Sequence, residues 1–139
     1  MATAIPEFGR AEAGVEYALR PGGYAVIRDE AGRMAVVSTP VGLALPGGGQ
    51  EPGEGPEQAA AREVGEECGL RIEVGAVIGV ADDGRYYRKR CTYFFAEVVG
   101  RCDAVEVDHE LRWLPPADAE ADLMHGSQRW AVSRARRRG

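Results

Sequence analysis

The sequence predicts an α/β fold in which helices pack against a mixed β-sheet. Short β-rich segments lie on both sides of one strong helical segment, an order that is typical of a layered α/β sandwich. The chain has 139 residues, a length that suits one domain. Apolar residues make up 45% and charged residues 28% of the chain, as in an ordinary globular protein.

The first elements are short strands joined by tight turns. Residues 24–28 and 34–38 are rich in β-forming side chains, and the turn-forming residues 29–32 separate them. Residues 43–45 are apolar and lead directly into the Pro-Gly-Gly-Gly run at 46–49. We therefore expect two strands, followed by a glycine-rich loop that can approach other groups closely.

A helix from Pro56 to Cys68 is the clearest element in the sequence. Proline suits the first helical turn, and residues 59–61 are three alanines, the strongest helix former. Gly69 follows directly and predicts a left-handed cap at the carboxyl end of the helix.

The second half of the chain predicts three further strands and two short helices. Residues 82–84 read Asp-Asp-Gly, a hairpin signal, so the β-rich residues 72–80 and the alternating residues 86–99 are expected to pair. Another strand is expected at 110–114, before Pro115 and Pro116. The short helices are expected at 117–123 and 128–136.

Several observations bear on compartment and domain organisation. No apolar run reaches the roughly 18 residues of a membrane span, and the first residues lack the pattern of a secretory signal. The three cysteines form no Cys-x-x-Cys pair, which favours reduced thiols in a cytoplasmic protein. We expect residues 1–14 to be a loosely ordered lead-in and residues 15–139 to form a single domain.

The negative charge of the chain is concentrated in one segment. The formal net charge is −5, which by itself argues against a polyanionic partner. Residues 51–73 contain seven acidic and two basic side chains, so this segment carries the whole excess. The acidic residues are Glu51, Glu54, Glu57, Glu63, Glu66, Glu67 and Glu73.

Three of these glutamates predict a cation site. Glu63, Glu66 and Glu67 are three and four residues apart on the predicted helix, so they share one face. Carboxylates that close repel one another unless a cation neutralises them, and oxygen ligands suit Mg²⁺ or Mn²⁺. The alternative interpretation is a solvated, glutamate-rich surface helix.

The segment from Gly48 to Leu70 resembles the Nudix box, GX5EX7REUXEEXGU with U apolar. Gly48, Glu54, Arg62 and the following residues match all nine specified positions, seven of which admit a single residue type. At average residue frequencies a chance match is on the order of 10⁻⁸ or less per starting position. The resemblance implies a Nudix-type α/β/α sandwich with a central mixed β-sheet.

The same resemblance implies roles for individual residues. Glu66 and Glu67 would be metal ligands, and Glu63 would be either a ligand or the general base that activates water. Gly47 would offer its carbonyl group to the metal, and Arg62 would orient the glutamates. The implied cofactor is Mg²⁺, for which Mn²⁺ can substitute.

A further ligand from outside the box is implied as well. In the segment Asp-His-Glu at 108–110, Glu110 is the first candidate and Asp108 the second. A lone histidine is more often a structural or surface residue, so we interpret His109 and His125 in that way.

A basic, aromatic segment follows the predicted hairpin turn. Arg85, Tyr86, Tyr87 and Arg88 are candidates for contact with a phosphate or a nucleobase. In Nudix proteins a tyrosine at about this distance from the box is associated with dinucleoside polyphosphate cleavage. An exposed hairpin with ordinary alternation explains the same residues and is slightly favoured.

The resemblance implies hydrolysis of a nucleoside diphosphate linked to another group, by attack of water on phosphorus. A nucleoside triphosphate or a modified nucleotide is the expected substrate, and a dinucleoside polyphosphate or ADP-ribose is the alternative. A nucleotide-sensing domain without catalysis is the competing class. No membrane and no specific nucleic acid is expected as a partner, and a homodimer is left open.

Overall fold

The computed structural model describes residues 4–9, 14, 18–84 and 88–138, and these contain seven strands and three helices. In chain order they are β1 (Leu19–Ile27), β2 (Met34–Thr39), β3 (Gly42–Ala44), β4 (Gly47–Gly49), α1 (Pro56–Cys68), β5 (Leu70–Asp83), β6 (Arg88–Arg101), β7 (Glu110–Leu114), α2 (Pro116–Asp122) and α3 (Gly126–Arg137).

The strands form two sheets. One has four strands in the order β4-β1-β6-β5 and is mixed, because β1 and β6 are parallel whereas the other two pairs are antiparallel. The other sheet has three antiparallel strands in the order β3-β2-β7. The expected mixed sheet is confirmed, and the second sheet is a division that the sequence pattern did not predict.

Helices cover both faces of the sheets. Side chains alternate between the faces of a strand, and along β1 Tyr24 and Val26 belong to one buried cluster whereas Ala25 and Ile27 belong to another. The first cluster also contains residues of α2 and α3, and the second contains Val64 of α1. This division of the core confirms an α/β/α sandwich.

Helix α1 and its boundaries agree with the sequence-based expectation. It begins at Pro56 and ends at Cys68, and Gly69 has φ 68° and ψ 27°, the left-handed conformation of a C-terminal cap. Strand β7 also has its predicted bounds, and α2 and α3 begin one and two residues earlier than predicted. No helix among the described residues has both the length and the hydropathy for crossing a bilayer.

Part of the lead-in is held against the sheet. The backbone N–H of Phe8 donates to the carbonyl oxygen of Asp82 at 2.7 Å, and the backbone N–H of Asp82 donates to the carbonyl oxygen of Pro6 at 2.9 Å. The ring of Phe8 also lies 6.2 Å from that of Trp130. Residues 6–8 of the lead-in therefore contact residues distant in sequence, whereas the loose order expected for residues 1–14 stays a prediction.

Candidate active site

The three box glutamates lie on one face of α1 and differ in burial. The side chain of Glu66 is 35% exposed, that of Glu63 is 20% exposed and that of Glu67 is 8% exposed. The expected clustering is therefore present, and its innermost member is a carboxylate almost removed from water.

Glu67 is held from two sides. Its Oε1 accepts a hydrogen bond of 2.8 Å from the backbone N–H of Gly47, and its Oε2 lies 3.3 Å from Nε2 of His109. Burial raises the pKa of Glu67 to about 8, although the Gly47 hydrogen bond acts in the opposite direction. A cation beside this carboxylate would stabilise its charged form.

Glycines let the β4 backbone approach α1 closely. Gly47 has φ 145°, a conformation that other residues rarely adopt. A side chain at Gly48 would place its Cβ 2.7 Å from the carboxyl carbon of Glu63, closer than atoms can pack. The glycine run therefore brings backbone groups directly to the carboxylates.

Arg62 joins the loop before α1 to the glutamates. Its guanidinium group donates two hydrogen bonds to the carboxylate of Glu54, at 2.8 and 2.9 Å, and another to the carbonyl oxygen of Gly49 at 2.9 Å. It also contacts Glu63 at 2.8 Å and Glu66 at 3.4 Å. The hydrogen bonds from Arg62 lower the pKa of Glu54 to about 2. Arg62 therefore holds the loop before α1 against the helix.

The loop between β6 and β7 brings two further residues to the site. The backbone N–H of Glu106 donates to the carbonyl oxygen of Glu66 at 3.0 Å, which holds the loop on α1. The charge of Glu106 contributes to the raised pKa of both Glu63 and Glu67. His109 is the last residue of the same loop, and its Nδ1 lies 3.9 Å from Oε2 of Glu106. Sequence reasoning missed Glu106 and interpreted His109 as structural.

The two residues that the sequence favoured as the extra ligand are placed differently. Glu110 is exposed at the first position of β7, where it pairs with Ser38 of β2. Asp108 is also exposed. Neither is among the groups whose charge raises the pKa of Glu63 or Glu67, whereas Glu106 is. Glu106 is itself exposed, so it joins Glu110 and Asp108 as a candidate for the carboxylate from outside the box, and the choice among them stays a prediction.

The residues present fit a divalent cation by their chemistry. The charges of Glu63, Glu66 and Glu106 all act on Glu67, and Arg62, which contacts Glu63 and Glu66, also binds Glu54, so negative charge is in excess. No three acidic, histidine or cysteine side chains of the described residues already converge on one ion position. Arg62 bridges two of the carboxylates, Glu63 and Glu66.

A cleft of about 620 Å³ includes the carboxylate of Glu67 in its lining. His109, the glycines of β4, Tyr93, Ser127 and Gln128 line it as well. Apolar side chains form much of the wall. They include Tyr24, Val37, Val41, Ala44, Leu45 and Met124.

Of the four residues proposed to contact substrate, the structure describes Arg88. Arg88 is buried, and its guanidinium group donates to the carbonyl oxygens of Gly84 and Asp82. The side chain is thus held by carbonyl groups at the end of β5, whereas its neighbour Lys89 lines the cleft, and contact of Arg88 with substrate stays a prediction. The other three, Arg85, Tyr86 and Tyr87, lie outside the described residues.

Fold and cleft together define a class, the α/β/α sandwiches with a glutamate-bearing helix at one end of a cleft. The sequence profile of the NUDIX domain matches residues 18–134. The chain therefore belongs to the NUDIX family.

Individual relatives agree with this assignment. Mouse diphosphoinositol polyphosphate phosphohydrolase 3-alpha is 38% identical over 80 residues, which cover 54% of this chain and 48% of the relative. The chain spans about half the length of the curated relatives it matches.

Solved structures resemble the fold over most of its length. The MutT protein of Methanosarcina mazei superposes with a TM-score of 0.75 at 23% identity, covering 90% of this chain and 98% of that one. The MutT NUDIX hydrolase of Burkholderia pseudomallei has a TM-score of 0.69 at 28% identity, covering 84% and 97%.

Proposed function

We propose that the protein is a divalent-metal-dependent pyrophosphohydrolase that cleaves the diphosphate of a nucleotide, with a nucleoside triphosphate or a modified nucleotide as substrate. The observation that carries this proposal is the buried Glu67 carboxylate, which is near three other acidic side chains and lines a cleft with largely apolar walls. Water attack on phosphorus would yield a nucleoside monophosphate and pyrophosphate.

Each residue of the site receives a role in this proposal. Glu66, Glu67, Glu106 and the carbonyl group of Gly47 would hold Mg²⁺ or Mn²⁺, which when bound neutralises diphosphate charge and lowers the pKa of water. Glu63 accepts the proton of the attacking water, since burial raises its pKa towards the range where a general base works. Arg62 positions Glu63, and the excess of carboxylates supports the metal assignment.

The walls of the cleft favour a nucleobase over an inositol polyphosphate. The curated relative named above is a diphosphoinositol polyphosphate phosphohydrolase, and the many phosphates of such a substrate call for several basic side chains. Among the described residues that line the cleft, the fully charged bases are Arg20 and Lys89. Apolar side chains such as Val37 and Met124 suit the flat face of a base.

A substrate panel tests this function. With Mg²⁺, the protein is expected to release a monophosphate from at least one of the deoxynucleoside triphosphates, their oxidised forms, a dinucleoside polyphosphate or ADP-ribose. Tight nucleotide binding without turnover would instead indicate a sensing domain. Turnover of a diphosphoinositol polyphosphate alone would assign the substrate of the curated relatives.

A matched pair of variants ties turnover to the site. Glu67→Gln is expected to lower kcat by two orders of magnitude or more, because it removes a charge that would hold the metal. Glu57→Gln makes the same substitution at an exposed position in the first turn of α1 and is expected to retain wild-type rates. Equal rates in the two variants would overturn the role of Glu67.

The cysteines support a cytoplasmic location in the same proposal. Cys68, Cys91 and Cys102 are free thiols, and Cys91 is buried in the core. Reduced thiols are typical of a reducing compartment.

That residues 15–139 form a single domain also stays a prediction.

A further inference from the structure

Two of the three cysteines lie together, where α1 ends and where the loop between β6 and β7 begins. Cys68 is the last residue of α1, and Cys102 directly follows β6. The backbone N–H of Cys102 donates to the carbonyl oxygen of Gly69, the neighbour of Cys68, at 3.0 Å. Burial raises the pKa of the Cys68 thiol, and the thiol of Cys102 adds to this shift, so the two groups are close enough to interact.

The third cysteine lies on the other side of the sheet. Cys91 belongs to the buried cluster that contains residues of α2 and α3, whereas Cys68 packs against the cluster that contains Val64 of α1. Because the sheet separates these two clusters, Cys91 is not placed to react with either of the other thiols. The only cysteine beside Cys68 in the described part of the chain is therefore Cys102.

Gly65 gives the sulfur atom of Cys102 its place on α1. Glycine is unfavourable in the middle of a helix, and residue 65 lies three residues before Cys68, on the same side of the helix. The thiol of Cys102 donates to the carbonyl oxygen of Gly65 at 3.7 Å, and a Cβ at residue 65 would lie 3.4 Å from the same sulfur atom. Because residue 65 has no side chain, this sulfur rests directly on the helical turn that ends at Cys68.

The two thiols differ in their access to solvent. Cys102 is exposed, so a small oxidant in solution reaches its sulfur atom directly. Cys68 is partly buried at the edge of the core, where a dissolved oxidant has less access. An accessible thiol with a second thiol beside it is an arrangement that redox-sensing proteins use.

We propose that Cys68 and Cys102 are a redox site, which forms a reversible disulfide when the protein meets hydrogen peroxide. The sulfur of Cys102 attacks the peroxide and becomes a sulfenic acid, and one water molecule is released. The sulfur of Cys68 then displaces the hydroxyl group as a second water, after rotation of the side chains brings the sulfur atoms together. The two thiols lose two electrons, which reduce the peroxide, and both thiol protons leave in the waters. A thiol reductant reverses the step by disulfide exchange.

The disulfide ties the loop at 102–109 to α1. The backbone N–H groups of Val105 and Glu106 already donate to the carbonyl oxygen of Glu66, at 2.9 and 3.0 Å. A covalent bond at the first residue of the loop adds a restraint to these hydrogen bonds, so the loop opens less often in the oxidised protein. This inference goes beyond the proposed function and does not depend on it, because no nucleotide takes part.

Peptide masses identify the bond in the wild-type protein. Trypsin cleaves after arginine and lysine and so places the three cysteines in separate peptides, which are residues 63–71, 91–101 and 102–112. After treatment of the folded protein with a small excess of hydrogen peroxide and a metal chelator, we expect peptides 63–71 and 102–112 to be joined. Dithiothreitol is expected to separate them. A link that includes peptide 91–101, a dimer joined through two copies of 102–112, or oxidation of Cys102 without any link would overturn the inference.

Serine variants test the effect of the bond on the loop. The oxidised wild type is expected to melt about 5 °C or more above the reduced protein, and its backbone hydrogens at 102–109 are expected to exchange at least threefold more slowly. Cys102→Ser keeps a donor for the carbonyl group of Gly65 but has no second thiol to offer, so peroxide should change neither quantity. Cys68→Ser should behave in the same way.

Cys91→Ala is the control, because it removes a thiol and leaves the proposed pair intact. Peroxide should produce the same joined peptides and the same slowing of exchange in this variant as in the wild type. A joined peptide without slower exchange in the loop, or equal slowing in oxidised Cys102→Ser, would overturn the inference.

Discussion

The buried carboxyl group of Glu67 makes stability depend on pH. Burial raises its pKa from the usual 4.5 to about 8. An acidic group whose pKa is higher in the folded than in the unfolded state favours folding in its protonated form. Its contribution to the free energy of unfolding is therefore full below the unfolded-state pKa and is lost as the pH rises through the folded-state pKa. We expect the protein in EDTA to lose on the order of 3 kcal/mol of unfolding free energy between pH 5 and pH 8 through this residue, as measured by urea unfolding.

The variant Glu67→Gln isolates that contribution. Glutamine keeps an oxygen for the N–H of Gly47 but has no proton to lose, so its stability should vary less with pH than that of the wild type. At pH 8 in EDTA this inactive variant should be the more stable protein. If wild type and variant lose the same free energy between the two pH values, another group is responsible.

The choice of the carboxylate outside the box is testable at the same scale. Glu106→Gln is expected to weaken Mn²⁺ binding by about tenfold, because Glu106 contributes charge to Glu63 and Glu67. Glu110→Gln, which changes an exposed residue of β7 by the same chemistry, should stay within about twofold of the wild type. Calorimetric titration with Mn²⁺ measures the affinity of both variants. Weaker binding in Glu110→Gln than in Glu106→Gln would assign the ligand role to Glu110.

At the scale of elements, Arg62 fastens the loop at 49–55 to α1. Its forked guanidinium group binds both oxygens of Glu54 as well as the carbonyl group of Gly49, and lysine has no fork to do so. Arg62→Lys is therefore expected to lower kcat/KM by about tenfold or more and to speed hydrogen exchange in this loop. Arg71→Lys, at an exposed position of β5, is the matched control. Unchanged exchange in Arg62→Lys would contradict this role.

Elements that depend on neighbouring residues could be predicted from the sequence, and contacts between distant residues could not. Pro56, Gly69 and the alanines between them specify α1 locally, so its bounds agree. The roles of Glu106 and His109 depend on a loop that folds back onto α1, and no local pattern distinguishes Glu106 from Glu110. Gln128 obtains its orientation from Leu45, 83 residues earlier in the chain.

At the scale of the whole molecule, the cleft connects all the layers of the sandwich. Strands of both sheets, the amino-terminal turn of α3 and the end of α1 line it, through Tyr24, Val37, Gln128 and Glu67. The two buried clusters on either side of the sheets hold these elements in place. A ligand at the acidic end therefore binds to a site that exists only in the folded state, so its binding free energy adds to the stability of the entire fold.

This linkage predicts a metal-dependent melting temperature. At a Mg²⁺ or Mn²⁺ concentration about 100 times the dissociation constant, the fold gains about 2.7 kcal/mol, which for this chain length corresponds to a rise in Tm of roughly 8 °C. Neutralising Glu63, Glu66 and Glu67 to glutamine should abolish the rise, as followed by thermal melting with and without the ion.

A second triple variant separates the site from the charge of the chain. Changing the exposed Glu30, Glu57 and Glu73 to glutamine removes the same three charges away from the site and should leave the rise in Tm intact. If the ions raise Tm equally in both triple variants, they bind through general surface charge. If neither ion shifts the wild type, the cluster on α1 is not a cation site. A rise that only the site variant loses places the cation at the glutamates of α1, where the local excess of negative charge would then serve to bind a polyanionic substrate.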